Sequence, residues 1–317
     1  MPTQTELGKA FEYACLNSIY NVLKDNQNVS IQHTEPFQTA KDFYLNSTEG
    51  QKVKLDLASS AAIRVIIKLE PQLQSTSIKN PLYLGIQEDA RGMLGDVRDV
   101  LCIKRENEWE IGISCKHNHS AVKHSRLSST IDFGQEWLGI PCSKSYFEKI
   151  DPIFDELKIL RNKGLRWNEL VNKQQRFYIP VLNAFIDEIQ ELYSHYNEQV
   201  PNALLGYLLG RNDFYKVITV DRSKLTKIQA FNIYGTLNKP AKNMKPQIKV
   251  PQLTLPKRIN SIRYKDKSAT TVIIDCDNGW SVSMRIHNAA TLVENSLKFD
   301  VNLQGIPPAL YTNFEAW

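Results

Sequence analysis

Nothing in the 317-residue chain approaches the roughly 18 consecutive apolar residues that a membrane-spanning helix needs. Its first residues, MPTQTELGKAFEYACL, carry neither the basic start nor the cleavage site of a secretory signal. Cysteine is scarce: Cys15, Cys102, Cys115, Cys142 and Cys276 are odd in number, far apart and without a CxxC pair. That pattern argues against a disulfide framework and against a structural zinc site. Net charge is small as well, +5, so the global field says little about partners. No internal repeat is visible. These absences predict a globular protein that stays in a reducing cytoplasm and has no membrane partner.

What is present is enough apolar sequence, 42%, to bury a full core in one large domain or two ordinary ones. Charge is uneven. From Lys239 to Lys267 the acid Asp266 stands alone among lysines and arginines, and Pro240, Pro246, Pro251 and Pro256 keep the first part extended. The segment reads as a connector or arm, and Lys249 within it as a phosphate contact.

Leu7, Phe11, Cys15, Ile19 and Leu23 recur at helical spacing, predicting an amphipathic helix over 4–24 with Glu12 beside its apolar stripe. The run 61–69, AAIRVIIKL, reads as a strand. Residues 98–116 read as a hairpin, two β-favouring runs around the polar turn Arg105 to Glu108. Residues 146–200 are helical, with Gly164 as a stop, and short β runs follow Asp213, including a hairpin at Asp277-Asn278-Gly279. The expected fold is α/β: a central mixed sheet flanked by helices and carrying the site in 1–150, then a helical middle and a β-rich part in 151–317. The two parts could fold as one compact unit.

The hairpin register decides the chemistry. If Arg105 to Glu108 turn, Lys104 pairs with Trp109, and counting outward sets Asp99 opposite Ser114, with Lys116 two residues on along the same face. Glu110 shares that face but lies ~13 Å back along the strand. A carboxylate beside a lysine on the neighbouring strand is what metal-assisted phosphodiester hydrolysis needs: the acid holds a hard divalent cation, and the lysine orients water or offsets developing charge.

Arg98-Asp99-Val100 and Ser114-Cys115-Lys116 resemble the motif of the PD-(D/E)xK nucleases, with Arg98 in place of the proline and Ser114 in place of the second acid. A serine hydroxyl is a poor Mg²⁺ ligand, so another carboxylate is required. Glu12 is the first choice, because Gly8-Lys9-Ala10-Phe11-Glu12 resembles the first helix of that superfamily; Glu110 and Asp96 are the alternatives. After the strand, His117, Asn118, His119, Lys123, His124 and Arg126 form an acid-free stretch suited to phosphate. Cys115, His117 and His119 could instead form a soft metal site.

Three segments, GDVRDVL, WEIGISCKHNHSAVKHSRLS and WSVSMRIHNAATLVENSLKFDVNLQG, resemble the HaeIII-type restriction endonucleases in order and spacing. The resemblance implies a restriction-modification role, duplex DNA as substrate, Mg²⁺ as cofactor and GGCC as target. A palindromic target favours a two-fold homodimer. Base reading then falls to the strand Trp280–Asn288, where Arg285, His287 and Asn288 are the candidates and Arg285 could grip guanine bidentately. Two rival functions remain: a non-catalytic DNA-binding regulator, favoured by Ser114, and a repair or junction nuclease that selects DNA shape.

Overall fold

A computed structural model describes residues 3–75, 80–88, 95–118, 120–242 and 244–317. They form two compact units interleaved along the chain: 1–120 with 210–253 and 309–317, and 121–209 with 254–308. The sequence expectation divides the chain once, at 150.

The first unit is built on a mixed seven-stranded sheet in the order β1-β2-β3-β4-β6-β7-β12. These strands are β1 (Val29–Ile31), β2 (Leu82–Ile86), β3 (Val100–Lys104), β4 (Trp109–His117), β6 (Phe214–Val220), β7 (Leu225–Phe231) and β12 (Tyr311–Ala316). The β1/β2 and β4/β6 pairs are parallel and the others antiparallel. Helix α1 (Gln4–Leu23) starts at a capping box, in which the Thr3 side chain accepts from the Glu6 N–H and the Glu6 carboxylate accepts from the Thr3 N–H. It packs on β4, α2 (Glu35–Leu45) and α3 (Glu49–Leu69). Phe11, Cys15 and Ile19 join Ile63, Ile66, Ile111, Ile113 and Val217 in one core, each large side chain contributing about 1.5–3 kcal/mol by its burial.

The run 61–69 is not a strand but the second half of α3. Ala61, Ala62, Ile63, Val65, Ile66 and Leu69 are buried while Arg64 and Lys68, four residues apart, lie exposed, and a polar stripe of two residues is too short to set a helix apart from a strand in nine. The start signal lies upstream, in the Thr48–Gln51 capping box.

Where α3 ends, at the short helix α4 (Pro71–Gln74), Glu70 is wholly buried. Its Oε1 accepts from the Tyr215 hydroxyl and the Asn238 N–H, both at 2.6 Å, while Oε2 has no partner among the described residues. Burial pushes this carboxyl up from 4.5 to about 7 despite those two donors. The folded state therefore keeps a proton that the unfolded chain loses at lower pH, so this stabilisation is complete below pH 4.5 and is lost as pH rises toward about 7. Glu70→Gln keeps the Oε1 contacts, and its unfolding midpoint should fall less steeply than that of wild type across that window, the remaining slope coming from Glu12; parallel pH profiles would contradict this.

The second unit holds an antiparallel five-stranded sheet in the order β5-β11-β10-β9-β8. The strands are β5 (Lys123–Leu127), β8 (Ile259–Tyr264), β9 (Thr271–Cys276), β10 (Ser281–His287) and β11 (Leu297–Gly305). The helical middle is α5 (Lys144–Asn162), α6 (Ile179–Tyr196) and α7 (Gln199–Leu209). Gly164, at φ +69°, stops the chain just beyond α5, as the sequence predicts. Phe299 packs against Phe185 and Trp137, with ring centroids 5.1 and 6.4 Å away, so the apolar side of the sheet faces helical residues. The expected α/β fold, with a large mixed sheet flanked by helices, a helical middle and a β-rich C-terminal part, is what the chain adopts. No described helix is long and apolar enough to cross a membrane.

The proline-rich stretch turns back on itself between Ala241 and Met244, whose backbones exchange hydrogen bonds, and is tied down through residue 253. Val250 and Leu253 are buried, and Asn232 and Asn238 bond its backbone. Lys249 is exposed between these anchors.

Candidate active site

The hairpin has the register counted from sequence: Lys104 pairs with Trp109 and Val100 with Ile113. The Asp99 N–H donates to the Ile113 carbonyl at 2.8 Å, which sets Asp99 beside Ser114. Asp99 Oδ2 then accepts from the Cys115 N–H at 2.6 Å, Lys116 Nζ at 3.3 Å and Ser114 Oγ at 3.4 Å. Ser114 thus supports the carboxylate rather than replacing one.

Glu12 enters from α1, buried, with Lys9 Nζ 3.1 Å from its Oε2. Burial pushes its carboxyl up to about 8, and the Asp99 charge adds to the push against Lys9 and Lys116. Burial works to lower the Lys116 ammonium, but the Asp99 charge and hydrogen bond more than offset it and hold its pKa above the ordinary lysine value. Two carboxylates and a lasting cation therefore share one site, in which burial first and the Asp99 charge second hold Glu12 toward its protonated form.

The alternative acids are engaged elsewhere. Arg98 is buried across the hairpin, with Nε and Nη2 each 2.7 Å from an Asp96 oxygen and Nη1 2.6 Å from Glu110 Oε1. This fork holds both carboxylates in charge-assisted bonds. It also pins the chain next to Asp99, since Gln87 donates its side-chain amide to the Arg98 carbonyl and its backbone N–H to the Asp99 carbonyl, each at 2.9 Å. Gly112 makes room for it: a Cβ there would lie 2.2 Å from Arg98 Cδ and 2.7 Å from its Cβ. Gly112→Ala should accordingly cost about 1–3 kcal/mol in urea unfolding. Part of that loss should vanish when Arg98→Ala is already present, because the Cγ and Cδ overlaps go while the Cβ overlap stays; equal losses in both backgrounds would refute the side-chain contact.

The chain matches the model of the HaeIII restriction endonuclease family over residues 8–307. It is 44% identical over 311 residues to the type II restriction enzyme HaeIII of Haemophilus aegyptius, covering 98% of this chain and 97% of that protein. The chain belongs to the HaeIII restriction endonuclease family. No solved structure matches it. A member of this family is a restriction endonuclease, a site-specific nuclease of DNA.

In this HaeIII-family chain the other sequence-derived site residues fall into both units. His117 is buried, 3.3 Å from Asp221 Oδ2, and its carbonyl accepts from the Gln4 side chain. Asn118, at φ +53°, is exposed and accepts from the Asp221 N–H at 2.9 Å. His119 and the His124 side chain lie outside the described residues. No group of three His, Cys, Asp or Glu side chains able to hold a metal occurs among the described residues, and the Cys115 thiol meets Cys15. The soft metal site built on Cys115, His117 and His119 includes His119, which lies outside the described residues.

In the second unit, Lys123 Nζ sits 3.4 Å from the Tyr207 ring centre and donates to the Tyr207 carbonyl at 2.9 Å. Arg126 pairs with Glu294 at 3.3 Å and Arg285 with Asp300 at 2.9 Å. His287 Nδ1 is 2.6 Å from the Asn288 carbonyl, while the Asn288 side chain accepts from Tyr178 and donates to Ala290, both at 2.8 Å.

Sequence reasoning missed Lys216. It lies on β6 in register with Ser114, buried, with Nζ 2.7 Å from the Ser120 carbonyl. Burial first and the Lys116 charge second lower its ammonium to about 7. A single lysine inside the apolar run FYKVITV was the available signal.

Proposed function

We propose that this chain is a type II restriction endonuclease that hydrolyses double-stranded DNA at a short palindrome, GGCC, on a PD-(D/E)xK-type core with Mg²⁺ as cofactor. The observation that carries the reading is the convergence of Glu12, Asp99 and Lys116. The donor set fits: Mg²⁺ takes oxygen ligands, commonly one or two carboxylates, with waters and substrate phosphate completing the sphere. A cation there would also offset the burial and the Asp99 charge that together push Glu12 up to about 8. Glu12 and Asp99 would hold it.

When bound, Mg²⁺ supplies Lewis-acid polarisation of the phosphate and activation of water. The chain's own groups do the rest. Asp99 is fixed by three donors and presents its carboxylate in one orientation. Lys116 keeps its positive charge beside it and offsets charge that builds on the phosphate in the transition state. Ser114 serves by holding Asp99, so a missing second acid in the motif does not favour the regulator.

Contacts to DNA are assigned to Asn118, His117, His119, Lys123, His124, Arg126 and Lys249 for the backbone and to Arg285, His287 and Asn288 for bases. A homodimer suits a palindrome, one centre per strand. Plasmid DNA incubated with the protein and Mg²⁺ should give discrete fragments ending within GGCC, and none with EDTA. Uncut plasmid in both would favour the regulator, and nicking only at structured DNA the repair nuclease.

A further inference from the structure

Two segments far apart in sequence meet in the second unit. The β5 strand pairs with β11, which pairs with β10, and β9 and β8 follow. Directly opposed residues of antiparallel strands project to the same face. Arg126 opposes Lys298, which opposes His287; Arg285 lies two residues from His287 and opposes Thr271; two residues on, Ile273 opposes Arg263. Arg126, Arg285 and Arg263 therefore share the face opposite the buried Phe299, Met284 and Ile286. Each is two strands and two residues from the next, so they form a diagonal row with steps of about 12 Å.

Each arginine in the row is paired with an acid set deeper than itself. Arg285 Nη2 is 2.9 Å from Asp300, with side chains 56% and 19% exposed. Arg263 Nε is 3.2 Å from Asp275, at 51% and 30%. Arg126 Nη1 is 3.3 Å from Glu294, at 42% and 27%, and also donates to Ser296 Oγ at 2.8 Å. Two of the acids are anchored in turn: Asp275 accepts from Ser261 at 2.9 Å and from Ser281 at 2.6 Å, and Glu294 from the Ala290 N–H at 3.1 Å.

We infer that this face is a DNA-contact surface on which Asp300, Asp275 and Glu294 are positioning residues that fix Arg285, Arg263 and Arg126 for the duplex. The inference rests on the function proposed above and adds Arg263 and the three acids to it. A guanidinium held from below by a carboxylate keeps its remaining N–H groups outward in one orientation, which suits the paired acceptors of a base edge or phosphate. Each pair is also neutral, so the arginine row gains little from the general attraction of a polyanion. Its discrimination comes from geometry rather than from counterion release.

The test compares affinities for a GGCC duplex and a scrambled duplex, with Ca²⁺ replacing Mg²⁺ to keep the DNA intact. Asp300→Asn should weaken GGCC binding about tenfold through the misaligned Arg285. The same variant should tighten scrambled binding about twofold, since removing an acid raises the net positive charge. A merely structural role would weaken both. Arg263→Ala, at an exposed side chain, should weaken GGCC binding severalfold with an unchanged unfolding midpoint, and Lys249→Ala should weaken both duplexes alike. If wild type prefers GGCC while Asp300→Asn and Arg263→Ala match it on both duplexes, the surface assignment is wrong and the function stands. A wild type without preference overturns both.

Discussion

Asp99→Ala and Lys116→Ala should each slow single-turnover DNA cleavage roughly a thousandfold, about 4 kcal/mol of transition-state stabilisation, with duplex affinity changed only a few fold. The two residues should fail for different reasons. Asp99 collects three donors from β4 and faces Glu12, so on the proposed function its loss would remove a metal ligand together with the anchor that orients Lys116. Lys116 carries no ligand oxygen; its loss leaves the metal site while removing a positive charge from the reaction. Raising Mg²⁺ should therefore partly restore Asp99→Asn and leave Lys116→Ala unrestored. Cleavage by either alanine variant at wild-type rate would remove the hairpin from the chemistry.

The second large effect is expected at Glu12. Glu12→Gln should raise the Mg²⁺ concentration for half-maximal cleavage and lower the rate roughly a hundredfold. The metal-free protein should be no less stable than wild type, because the variant relieves a buried acid that opposes Asp99. Glu110→Gln should cost far less, since Glu110 is bonded to Arg98 and half open to solvent. Asp96→Asn should fall between them by loosening Arg98 and the chain beside Asp99. Rates and Mg²⁺ titrations of the three variants give the ranking; Glu110→Gln as the most damaging would reverse the ligand assignment.

The hairpin was legible because both its runs favour strand and the turn is polar, so residue counting alone set Asp99 beside Ser114. Glu12 was legible as a residue beside a helical stripe. Its approach to Asp99 was not, since that depends on how α1 packs on β4. Arg98 is a departure from the motif in one dimension; in three it occupies Asp96 and Glu110 together, which no local pattern shows. Lys216 reaches Ser114 through the parallel β4/β6 pairing, a contact across about a hundred residues. The joining of Arg126, Arg285 and Arg263 is equally non-local, because β11 and β9 lie between their strands. The misread run 61–69 failed for a simpler reason: Arg64 and Lys68 mark a solvent side four residues apart, and two positions are too few to reveal a helical period.

The central claim is that Glu12 and Asp99 together hold the divalent cation. Crystals of the wild-type protein soaked in MnCl₂ and measured at the manganese absorption edge test it directly. The account predicts an anomalous difference peak between the Glu12 and Asp99 carboxylates, absent in Glu12→Gln crystals treated identically. A peak between Asp96 and Glu110 instead, or one at Asp99 that persists unchanged in Glu12→Gln, would contradict it.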